Sequence, residues 1–76
     1  MKKSPEQFLG LEIKRRRARL NISQEELGFE AGVHRTYVSQ LERGIKSPTL
    51  AVMLRIAKAL DTTAATLVSA VEQQLP

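Results

Sequence analysis

Residues Ser23 to Gly44 read SQEELGFEAGVHRTYVSQLERG, and the fold follows from how this stretch divides. Ser23 is a good N-cap, and Glu26 three residues on completes a capping box, so a helix is predicted from Gln24. Gly32, β-branched Val33 and His34 interrupt it after Ala31. A second helix is predicted from about Arg35 to Arg43, ended by Gly44. Leu27 and Ala31 lie four apart on the first helix, Val38 and Leu41 three apart on the second, and Val33 sits in the turn, so all five can meet in one small core. Arg35, Thr36, Tyr37, Ser39, Gln40 and Arg43 are left outside. Several of them can bond to base edges.

The ordered series Ser23-Gln24-Glu25-Glu26-Leu27, Ala31-Gly32-Val33 and Val38-Ser39-Gln40-Leu41-Glu42-Arg43-Gly44 resembles the helix-turn-helix of the lambda and 434 repressor and Cro class, the XRE-like family. Arg17 upstream, and Pro48-Thr49-Leu50 and Ile56-Ala57-Lys58-Ala59-Leu60 downstream, extend the resemblance over most of the chain. His34-Arg35-Thr36-Tyr37 is also similar to the start of the recognition helix in restriction-modification controller proteins. The resemblance implies an all-α, five-helix lambda-repressor-like DNA-binding domain spanning residues 1–76, with helices at about 5–20, 24–31, 35–43, 50–60 and 64–74.

A recognition helix of this kind enters the major groove, with its N-terminal residues facing base edges. Arg35 can donate two bonds to O6 and N7 of guanine, Gln40 can pair with adenine, and Thr36 and Ser39 can contact bases or phosphate. The resemblance places Arg35, Thr36, Ser39 and Gln40 on the base-reading side. It places Gln24, at a helix N-terminus that favours anions, on the DNA backbone; Ser23 beside it, Tyr37 through its hydroxyl, and Arg43 and Lys46 after the recognition helix are further expected phosphate contacts that fix register. Each could instead be ordinary solvated surface. Glu25, Glu26 and Glu30 would repel DNA and are expected to face away from it. Gly28 stands where the family usually has Ala, which weakens the helix but permits a close approach to its neighbour. Phe29 reads as a tolerated surface aromatic, with a partner contact as the alternative. His34 reads as the cap or turn residue before the second helix of the pair.

Upstream, Ser4, Pro5 and Gln7 signal a helix from about Pro5 to Leu20, on which Leu9, Ile13, Arg17 and Leu20 fall along one face. Arg17 is the odd member. Its guanidinium can snorkel to water along its stem, or, as the resemblance implies, pair with Glu42 at the end of the recognition helix. The run Lys14-Arg15-Arg16-Arg17-Ala18-Arg19 spreads around the helix, mostly as a solvated face with some members able to steer DNA. Ile22 can pack as a hydrophobic staple before the Ser23 cap. Downstream, Thr49 can cap a helix with an apolar stripe of Leu50, Met53, Leu54, Ala57 and Leu60, and Thr63 can cap a last one carrying Ala64, Leu67, Val68, Val71 and Leu75. That is more apolar surface than one small core needs, which points to a homodimer through Leu67, Val68, Val71 and Leu75.

The 76 residues, with a net charge of +4 and no cysteine, bound the remaining choices. The length suits one small helical domain without a disulfide staple, and the charge suits a polyanionic partner. Met1-Lys2-Lys3 imitates the start of a signal peptide, but Pro5, Glu6, Gln7 and Glu12 stand where an apolar run would follow. No stretch is long and apolar enough for a membrane span, and a cytoplasmic, nucleoid-associated location is expected. One His, no Cys and isolated glycines offer no catalytic, metal or cofactor constellation, so an enzyme is not expected. Three scattered aromatics make no stacking platform for single-stranded nucleic acid. The expected partners are double-stranded DNA, a second copy and RNA polymerase. The competing reading is an antitoxin-type protein-interaction module that represses its own operon, for which the sequence offers no added partner-binding tail.

Overall fold

In the computed structural model, residues 2–76 are described, and they form five helices: α1 (Pro5–Leu20), α2 (Gln24–Ala31), α3 (Arg35–Glu42), α4 (Leu50–Ala59) and α5 (Ala64–Glu72). Met1, the first residue of the signal-like start, lies outside the described residues. Each helix begins where a side chain can satisfy its free amides. Ser4 with Gln7 and Ser23 with Glu26 form reciprocal capping boxes, and Thr49 and Thr63 each accept from the amide three residues on. Gly32 closes α2 in the left-handed region at φ 71°, where a side chain is disfavoured.

Helix α3 is held between α1 and α2, while α5 closes the fold against α1 and α4. The core is one cluster drawn from all five helices, with Ile13, Leu27, Val38, Leu41, Ile56 and Leu67 fully buried. Two glycines set the approach of α3. A Cβ at Gly10 would run into the backbone carbonyls of Leu41 and Glu42, so α1 crosses the end of α3 at backbone contact. A Cβ at Gly28 would meet the Val33 carbonyl oxygen at 2.6 Å, so α2 closes equally tightly on the turn that follows it.

Three expectations need correction. On α4 the inward side is Met53, Ile56, Ala57 and Leu60, whereas Leu50 and Leu54 are 74% and 54% exposed. Apolar residues surround this helix so fully that spacing alone did not select the face. Leu20 is 42% exposed rather than part of the α1 core stripe, standing at the edge of an open groove where α1 ends. On α5, Leu67 is fully buried and Val71 largely buried in the protein's own core, so the exposed part of the expected interface is Val68 and Leu75. No helix among the described residues is long and apolar enough to cross a membrane.

Candidate nucleic-acid interface

The C-terminal end of α3 is fixed by a buried carboxylate. Glu42 Oε2 accepts from Arg17 Nε at 2.7 Å, and its Oε1 accepts from both Arg17 Nη2 at 3.1 Å and Gln24 Nε2 at 3.0 Å. Arg17 also donates to the Ile22 carbonyl at 3.0 Å. One side chain of α3 thereby ties together α1, the connection after it and the first residue of α2. The bond to Glu42 holds the Arg17 guanidinium above its ordinary pKa, against the opposite pull of burial, so the cation persists. Such a pair is worth little compared with apolar packing, but removing one member strands the other.

The other end of α3 is open. His34 caps it, its Nδ1 accepting from the Thr36 amide at 3.0 Å, and the backbone turns outward from there. Arg35 and Thr36 are exposed, and Ser39 and Gln40 are half-buried. Arg35, Thr36 and Ser39 line one open cleft with Gln24, of about 280 Å3. Gln40 lies one turn beyond Thr36 and outside that cleft. Successive helical residues turn by about 100°, which puts Gln40 on the far shoulder of the outward face.

The other sequence-selected residues are placed as follows. Gln24 stands at the cleft, but its amide nitrogen is engaged with Glu42, so the side chain is held rather than free. Ser23 Oγ accepts from the Glu26 amide, which leaves its hydroxyl proton free to donate. Tyr37 is half-buried against the core, while Arg43 and Lys46 are exposed beyond the helix end. Sequence reasoning missed three contributors. Arg55 donates from α4 to the Ala31 carbonyl at 2.9 Å and so satisfies the end of α2. Glu12 is buried on α1, held by Arg15 at 3.1 Å and Arg16 at 2.7 Å. Gly10 permits the α1–α3 contact, and no local pattern marks it, since the groups it accommodates are more than thirty positions away in sequence.

Comparison with known proteins decides the family. The helix-turn-helix family matches residues 13–67, from the middle of α1 to the first turn of α5. The chain belongs to this XRE-type family of DNA-binding transcription regulators. The family is one of regulators, not of enzymes. Among the relatives, the control protein C.BamHI of Bacillus amyloliquefaciens is 47% identical over 45 residues, covering 59% of this chain and 56% of that protein. The match thus spans just over half the length of that curated relative. The crystal structure of the restriction-modification controller protein C.AhdI from Aeromonas hydrophila is similar at a TM-score of 0.79, with 34% identity over 82% of this chain and 94% of that one. The solution structure of the DNA-binding domain of the P22 C2 repressor gives 0.78 and 35%, covering 82% of each chain. Both resemblances read from the sequence, to repressors and to controller proteins, therefore hold.

Proposed function

We propose that this helix-turn-helix regulator reads a palindromic operator as a homodimer and so governs a promoter by occluding or assisting RNA polymerase. The observation that carries the reading is the contrast within α3: its far end is pinned through Glu42, while Arg35, Thr36 and Ser39 open with Gln24 onto one solvent-facing cleft. Arg35 is assigned to guanine, and Thr36, Ser39 and Gln40 to the neighbouring bases. Ser23, Gln24, Tyr37, Arg43 and Lys46 are assigned to phosphates. Relatives named as restriction-modification controllers support an operon of that kind as the setting.

The dimer surface is assigned to the outer edge where α4 meets α5. Leu50 and Leu54 on α4 and Val68 on α5 are apolar and exposed, and a groove lined by Leu9, Pro48, Met53, Val68 and Val71 runs between α1, the start of α4 and α5. The two recognition helices of such a dimer would have to stand about 34 Å apart, one turn of the duplex. Selection of bound duplexes from a random pool at about 0.15 M salt tests the reading, because the non-specific phosphate attraction is weakened there. Enrichment of inverted half-sites one turn apart supports it. An enriched single half-site would remove the dimer, and no enrichment would remove sequence reading altogether.

A further inference from the structure

A second surface of α2 uses none of the residues of the base-facing cleft. Leu20, Ile22, Phe29 and Ala59 are the apolar lining of a groove of about 650 Å3 between the ends of α1 and α4. Phe29, in the last turn of α2, is 85% exposed, an aromatic ring left in water. The rim is acidic, formed by Glu25, Glu26, Glu30 and Asp61, in a chain whose net charge is +4. Glu26 is engaged in its cap. Among the described residues, Glu25, Glu30 and Asp61 take part in no ion pair. An apolar floor within a ring of carboxylates fits a helix that carries cations beside a small apolar stripe.

The chain itself carries such a helix face. The outer side of α1 exposes Leu11, Lys14, Arg15 and Ala18, at spacings of three, four and seven from Leu11, with Arg19 exposed beside them. This is the spacing by which a helix seats in a groove. We propose that the α2 groove receives the outer face of α1 from a second copy. The charge complementarity is present at equal concentration on every molecule. Because giver and receiver are different patches, the contact is head-to-tail and extends from copy to copy, unlike the twofold dimer. Its polar rim makes it weak and salt-sensitive, so it acts where copies are already held close together.

Sedimentation without DNA tests the contact independently of any operator. The wild-type mass grows with concentration beyond the dimer at about 0.02 M salt and falls back at about 0.5 M, where charges are screened. Lys14→Glu with Arg19→Glu in one chain, or Glu25→Lys with Glu30→Lys in another, turns attraction into repulsion and weakens growth about tenfold or more. An equimolar mixture of the two variants restores it, since each altered face meets an altered groove; restoration also demonstrates that both variants are folded. Val68→Asp, aimed at the twofold edge, moves the starting species to the monomer, and its mass still rises at low salt and falls back at high salt. Growth equal in wild type and both reversals, no wild-type growth at low salt, or a mixture that stays small would each overturn the contact.

Discussion

The two ends of α3 are built on opposite terms. At Leu41 and Glu42 the helix is buried under α1, in backbone contact with Gly10 and bonded to Arg17 and Gln24. At Arg35 and Thr36, two turns earlier, it is exposed and its side chains face solvent. A groove reader needs both conditions, since the angle of the helix must be set while the residues that meet the bases stay uncommitted. Division along the axis meets the two demands with eight residues.

The comparison breaks first at the pinned end. Glu42→Ala leaves the Arg17 cation without its carboxylate and costs about 3 kcal/mol of stability by denaturant titration, whereas Arg17→Met with Glu42→Leu costs distinctly less. Equal losses would mean that the pair is not what holds α1 to α3. Gly10→Ala drives a methyl group towards two backbone carbonyls and costs about 2 kcal/mol; an unchanged midpoint would show that α1 can ride outward freely. At the open end the effects move from stability to recognition. Arg35→Ala relaxes base choice at one position per half-site by about 1 to 3 kcal/mol while stability changes by less than about 0.5 kcal/mol. A uniform loss on all duplexes would reassign Arg35 to phosphate. Lys46→Ala lowers affinity for every sequence alike and reduces the slope of log K against log salt by about one.

The smallest effect concerns pH. Arg17 has its folded pKa raised. A cation of this kind contributes stability that is fully present below its unfolded pKa and is lost only as pH rises through the folded one. Between about pH 6 and 9, then, no stability is lost through Arg17, and a matched series of melts on wild type and the double variant Arg17→Met with Glu42→Leu should differ by a constant amount. A difference that varies across that window would place the titrating group elsewhere in the network.

Helix starts were legible because capping is local: Ser4, Ser23, Thr49 and Thr63 sit within three residues of the amides they satisfy. The inner sides of α2 and α3 were legible because Leu27, Ala31, Val38 and Leu41 stand among polar residues, Glu25, Glu26 and Glu30 on α2 and Ser39, Gln40 and Glu42 on α3. On α4 that contrast is missing, and only the position of α2 and α5 selects Ile56 over Leu50 and Leu54. The burial of Glu12 was hidden for a related reason. Its charge suggests solvent, and the arginines one turn on that hold it read as part of a basic surface. For the candidate interface, residue types at α3 could be listed in advance. That Gln24 shares a cleft with Arg35 while bonded to Glu42 depends on two helices meeting, which spacing along one helix does not encode.

Glu42 Oε1 serves two donors, one on the helix that braces α3 and one at the mouth of the cleft. Two donors on one oxygen make their occupancies interdependent, and the dependence runs equally in both directions. If an anion in the cleft draws the Gln24 amide aside, Arg17 is left as the sole donor to that oxygen; if α1 strains away, Gln24 is held more firmly. One oxygen thus stands between the cleft and the N-terminal helix, bonded to both.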